Sequence, residues 1–105
     1  MGAVTFTETL HDTGGARWPT AGSITAFLDG DSVGYVDFLL SSREARALIR
    51  MIEVRPPLRR EGIATKLMDE MRRRHPAITT LVLPELLPDG RRFFAWYRRR
   101  MRAER

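Results

Sequence analysis

Ile52-Glu53-Val54-Arg55-Pro56-Pro57-Leu58-Arg59-Arg60-Glu61-Gly62-Ile63-Ala64 is the stretch on which the fold turns. Apolar residues that alternate with a carboxylate end at Val54, and two prolines stop the strand. A basic loop containing Gly62 then runs directly into apolar residues at helical spacing. A strand, a turn and a helix in that order aim several main-chain N–H groups and a helix N-terminus at one point. Such a point suits an anion, the phosphates of a ligand above all.

Working outward, residues 47–54 read as the strand that feeds this loop. Downstream, Ile63, Ala64, Leu67, Met68 and Met71 share one helical face, with Lys66, Asp69, Glu70 and Arg72 opposite. Arg72, Arg73 and Arg74 complement a helix C-terminus, and His75-Pro76 stops it. Residues 78–83 read as a fifth strand and 84–88 as a proline-broken connector. Asp89 can then cap a last helix carrying Phe93, Phe94, Trp96, Tyr97 and Met101. Upstream lie a β-branched strand at 4–10, a glycine-rich loop at 12–22 and a second strand at 23–28. Asp29-Gly30 then marks a hairpin into a third strand at 33–40, followed by a polar connector at 41–46.

The order is four strands, helix, strand, helix. Strands 4 and 5 flank a helix and can form a parallel βαβ unit, while strands 1–3 suit antiparallel pairing. The expected fold is therefore α/β (α+β), a mixed, mostly antiparallel sheet of about five strands with a C-terminal helix. At 105 residues it makes one domain. Its parts are an N-terminal strand and loop (1–22), antiparallel strands (23–54), the basic loop with its helix and strand (55–83), and an arginine-rich helix (89–105). In such sheets a ligand binds beyond the carboxyl ends of the parallel strands, which is where the basic loop falls.

Apolar residues at 43% and charged residues at 30% describe a folded globular chain. With no cysteine, disulfides and thiolate metal sites are excluded, and an intracellular, cytoplasmic home is expected. His11 and His75 are far apart and lack metal-ligand spacing, so no metal site is expected. The first residues show no basic segment followed by a long apolar run, and no stretch reaches the length of a membrane span. The net charge of +5 is uneven: residues 91–105 hold seven Arg and one Glu, a local +6, which leaves −1 for residues 1–90.

In that setting Arg59-x-x-Gly62-x-Ala64 resembles the acyl-CoA-binding motif of the GNAT superfamily of N-acetyltransferases, written Arg/Gln-x-x-Gly-x-Gly/Ala after the fourth strand. The match is good over residues 47–71 and extends in element order over 23–97. Read without its neighbours, the same pattern also fits a solvated basic turn. The resemblance implies acetyl-CoA as cofactor and a primary amine, on a small molecule or a macromolecule, as acceptor. It implies that main-chain amides of Arg59, Arg60, Glu61, Gly62, Ile63, Ala64 and Thr65 hold the pyrophosphate. It further implies that the strand end from Ile52 to Val54 pairs with the pantetheine arm, and that strands 4 and 5 splay to admit it.

Amine acetylation needs an uncharged amine, a donor at the thioester oxygen and an acid for the leaving thiolate. In several members of the resembling family an acidic residue after strand 5 serves as base and a Tyr on the next helix as acid. The matching positions are Glu85, acting directly or through water, and Tyr97. Each also has a plain structural reading, Glu85 as a loop acid and Tyr97 as a core aromatic. Glu53 alternates with Ile52 and Val54 and so faces the other side of the sheet, toward substrate or a neighbouring Arg. Tyr35 reads as packing.

The sequence departs from the family in three places. Residues 11–22 are too short for the usual helix pair between strands 1 and 2, which forms one wall of the acceptor site. The last helix lacks the usual Gly-Phe ending and the two strands after it, having Met101-Arg102 there. Gly90 and Phe93 stand where Asn and Ala are frequent. The chain thus reads as a minimal or truncated member, with a homodimer or a bulky acceptor to complete the wall, or as a non-catalytic acyl-CoA-binding or regulatory protein. The arginines around Phe94, Trp96 and Tyr97 suit nucleic acid or an acidic partner, and equally a solvated helix face.

Overall fold

The computed structural model describes residues 2–59, 61–83 and 88–104, without the side chains of Pro88 and Asp89. Five strands, β1 (Val4–Asp12), β2 (Thr20–Leu28), β3 (Asp31–Ser41), β4 (Arg46–Val54) and β5 (Thr80–Val82), form one sheet in the order β1-β2-β3-β4-β5. The first three pairings are antiparallel and β4 pairs with β5 in parallel. Helix α1 (Ile63–Arg74) joins β4 to β5, and α2 (Pro88–Ala103) follows β5. The mixed sheet, the parallel unit and the C-terminal helix are as expected from the sequence.

The first hairpin and β5 differ most from the expected boundaries, each for a tertiary reason. The first hairpin is longer than its propensities suggest, because the ladder runs on to Asp12 opposite Thr20 and backbone pairing overrides weak local preference. Gly22, which reads as loop, lies in β2 paired with Leu10 and Phe38, and a Cβ there would collide with both side chains. At the other end β5 is only Thr80–Val82, since the amides of Thr79 and Thr80 both donate to Ala45 O at 2.9 and 3.1 Å and bind the entry to the strand as a turn. The Asp29-Gly30 hairpin holds, with φ of 51° and 86° at its two central residues, the left-handed pair that a tight two-residue turn requires.

Register fixes the faces. A Cβ on Gly34 would meet Ile63 and Leu67 side chains at 3.4 Å, so Gly34 faces α1. By cross-strand pairing Ala26, Ile24, Val36, Ile52 and Val54 face the same way. Against them α1 lays Ile63, Leu67, Met68 and Met71, all buried, and the sheet adds Phe38, Leu40, Ala47 and Ile49. The opposite face carries exposed Thr5, Thr7 and Thr9, with Tyr35 donating to Glu53 Oε2 at 3.1 Å.

Helix α1 is anchored at its end by His75, whose N–H reaches Met71 O at 3.0 Å. The His75 ring lies 2.7 Å from Glu8 Oε2 on β1. Arg73 and Arg74 turn back to Glu70, both at 2.6 Å. Helix α2 lies alongside α1 and buries Phe94, Tyr97 and Met101. Its ties to α1 include Tyr97 and Arg100 on Asp69, and Arg72 on Tyr97 and on Glu104, the last at 3.1 Å.

Candidate active site

The site begins where the two parallel strands part. β5 pairs only with Arg46, Ala47 and Leu48, whereas β4 continues to Val54. Residues 49–54 therefore present an edge toward β5 with no strand on it among the described residues. Arg55 N–H donates to Val33 O at 2.9 Å, so its amide points toward β3. Alternation along a strand turns Glu53 the same way and sends the amides of Ile52 and Val54 to the open edge. An extended ligand laid there would be received as an added strand.

Beyond Val54 the two prolines form a 3-10 turn at Pro56–Leu58, a connector not foreseen from the sequence. It spends two amides, Arg59 N–H on Pro56 O at 3.3 Å and Glu61 N–H on Leu58 O at 3.2 Å. The expected row of phosphate-facing amides is thereby shortened. Gly62 follows at φ 78°, ψ 12°, in the left-handed region, and serves as N-cap of α1 without a side-chain cap. The first helical bond is Lys66 N–H to Gly62 O at 3.0 Å. The amides of Ile63, Ala64 and Thr65 thus have no carbonyl one turn back and point out of the helix end. No acidic side chain occupies that first turn.

The open edge of β4 and the start of α1 border one cleft of about 630 Å³. Of the residues nominated for the cofactor, Ile52, Val54, Arg59, Gly62, Ile63, Ala64 and Thr65 line it. Glu61 does not, and Arg60 lies outside the described residues. Among the described residues, Leu58, Gly90 and Phe93 complete the lining. Phe93 could be read from its spacing only as part of the apolar stripe of α2. Arg59 crosses the end of β4 and donates from Nε to Val54 O at 3.1 Å, which holds a positive charge at the mouth.

The two proposed proton-transfer residues stand differently. Glu85 lies outside the described residues. Tyr97 is buried, donates to Asp69 Oδ1 at 2.6 Å and accepts from Arg72 Nη1 at 3.3 Å. Its phenol faces α1 and is not part of the cleft lining. Burial, with the Asp69 hydrogen bond added and Arg72 opposing, pushes its pKa up to about 12. Glu53 is exposed on the other face of the sheet, where its hydrogen bond raises the Tyr35 phenol pKa. No group of metal-binding residues occurs among the described residues, nor any helix long and apolar enough to cross a membrane.

This geometry has counterparts among known proteins. The Acetyltransferase (GNAT) family model matches residues 4–99. A ribosomal-protein-alanine N-acetyltransferase from Brucella melitensis biovar Abortus 2308 superposes with a TM-score of 0.61 at 28% identity, over 72% of this chain and 60% of that one. AAC(6')-Iy, solved in complex with the bisubstrate analogue CoA-S-monomethyl-acetylneamine, gives 0.56 at 17% identity, over 71% and 57%. An aminoglycoside acetyltransferase, HMB0005, from an uncultured soil metagenomic sample gives 0.61 at 13% identity, over 90% of both chains. The chain thus spans about three fifths of the first two structures' length. A comparison with proteins of curated function finds no match. With the family match running from β1 almost to the end of α2, this chain belongs to the GNAT acetyltransferase family.

Proposed function

We propose that this chain is an acetyl-CoA-dependent N-acetyltransferase that transfers an acetyl group to a primary amine. The observation that carries the reading is the convergence of two rows of main-chain amides on one cleft, those of Ile52 and Val54 at the edge of β4 and those of the first turn of α1. A diphosphate fits the second row: the amides of Gly62 to Thr65 supply donors, and the helix dipole favours negative charge. The space beside Gly62 is open to it, since a Cβ there would meet nothing within 4 Å. Arg59 adds a cation, and Arg60 is assigned the same role. The amides of Ile52 and Val54 suit the pantetheine arm, with Leu58 and Phe93 as its apolar wall. When bound, acetyl-CoA supplies the activated acetyl group.

The proton work is assigned to Glu85 as base, taking the amine's proton directly or through water, and to Tyr97 as acid. A phenol near 12 keeps its proton at neutral pH, as an acid must. That proton is committed to Asp69, so delivery to the cleft requires the bond to exchange. An amine acceptor is supported by relatives named for acetylating ribosomal-protein alanine and aminoglycosides, and the cofactor by the neighbour solved with a CoA conjugate. β1 and β2 are joined by residues 13–19 with no helix between them. We assign the missing acceptor wall to a macromolecular acceptor or to a second copy of the chain, in the cytoplasm.

One observation favours a second reading, a non-catalytic acyl-CoA-binding protein: the Tyr97 hydroxyl is engaged away from the cleft. Thiol release from acetyl-CoA, measured over a panel of peptide N-termini, aminoglycosides and polyamines, separates the two. Release that requires both acetyl-CoA and an amine is expected. Retained acetyl-CoA binding with no release across the panel would leave the second reading standing.

A further inference from the structure

We propose that the outer ridge of α2 is a docking surface for single-stranded nucleic acid, separate from the cleft and independent of the acetyltransferase reading. The inward stripe of α2 is complete without Trp96: Phe94, Tyr97 and Met101 are the buried residues. Trp96 is 44% exposed. It shares the outward stripe with Arg92 and Arg99, at positions i, i+4 and i+7. The Arg100 guanidinium flanks its ring at 5.8 Å from the centroid.

The cations of α2 are engaged to different degrees, and Arg98 donates to Leu81 O at 2.7 Å. Arg100 is engaged with Asp69 and Glu104, at 3.2 and 3.6 Å, and helps hold the helices together. Arg92, Arg99 and Arg102 are exposed and have no carboxylate partner among the described residues. Segment 91–105 carries +6 on a chain otherwise near neutrality. A solvated helix face needs no exposed indole, and repelling cations on one ridge are a cost unless a polyanion meets them.

The indole selects among polyanions. Unstacked bases offer a π-face to an exposed aromatic ring, while a duplex keeps its bases stacked inside. A membrane surface would need an apolar helix face to insert, and that face of α2 is already packed in the core. A single strand matches both features, phosphates on the arginines and a base on Trp96.

Fluorescence anisotropy of a labelled twelve-nucleotide oligouridylate, titrated with the full chain between 50 and 200 mM salt, tests this. Saturable binding is expected, with a log–log salt slope of about −2 to −3 for three or four phosphate contacts. Arg92→Ala with Arg99→Ala should weaken binding roughly ten-fold and flatten that slope. Trp96→Ala should weaken it roughly ten-fold with the slope unchanged. If Trp96→Ala loosens the helix, Trp96→Leu keeps apolar bulk and should lose the same affinity. No binding at 50 mM salt, equal affinity for a duplex or for phosphatidylserine vesicles, or full affinity in the Trp96 variants would overturn the proposal.

Discussion

The hydroxyl of Tyr97 donates to Asp69 Oδ1 at 2.6 Å and so ties the middle of α2 to α1. The residue proposed as acid is thus also a structural bond. Tyr97→Phe keeps the ring packing and removes that bond together with the one accepted from Arg72, leaving Asp69 with Arg100 and Arg72 with Glu104. A hydrogen bond to a charged group is worth about 1.5–3 kcal/mol, so a loss in that range is expected in urea unfolding. If Tyr97 delivers the proton, kcat falls about 100-fold as well. A fall of only a few-fold would confine Tyr97 to holding the helices together. The variant should also change the alkaline limb. A phenol raised from about 10 unfolded to about 12 folded costs stability as pH rises through that window. Tyr97→Phe should make the limb shallower.

Glu70 sets an acid limb of opposite sign. Hydrogen bonding from Arg73, then Arg74, holds its pKa down at about 2 against burial, with the side chain only 11% exposed. The unfolded chain binds that proton near 4.5, so stability is full above that pH and is lost as pH falls toward 2. Glu70→Gln should lower stability at neutral pH and flatten the curve over that window. Parallel curves for the two proteins would show that Glu70 contributes nothing there.

Gly62 is required for its conformation rather than for space near it. At φ 78° with open surroundings, Gly62→Ala introduces strain without collision, at about 1–2 kcal/mol. Gly62→Asn, which tolerates the left-handed region, should recover much of that loss. Thermal unfolding of both variants checks it, and equal melting temperatures for them would refute the conformational argument.

Arg59 is expected to act on binding rather than turnover. It holds the Val54 carbonyl and a charge at the cleft mouth. Arg59→Ala should raise KM for acetyl-CoA about ten-fold with kcat nearly unchanged. A fall in kcat at constant KM would place Arg59 in the transition state instead.

Much of this arrangement was legible because backbone devices leave marks in sequence. The Pro56-Pro57 stop, the loop glycine Gly62 and the stripe Ile63, Leu67, Met71 fix the strand–loop–helix unit from local rules. The sheet order then follows from connection lengths. What stayed hidden depends on long-range geometry. The extra pairing of Asp12 with Thr20 is set by the sheet, and the 3-10 turn that consumes the Arg59 and Glu61 amides depends on how the chain leaves β4. Phe93 and Tyr97 sit four residues apart on one stripe, yet one faces the cleft and the other α1. Nothing in their spacing distinguishes them.

The central claim concerns where a CoA thioester meets the main chain, and amide chemical shifts report that residue by residue. Titrating the isotope-labelled protein with acetyl-CoA should move the amides of Gly62, Ile63, Ala64 and Thr65 most, with Ile52 and Val54 following. Unmoved signals at millimolar ligand, or shifts confined to the arginines of α2, would contradict it.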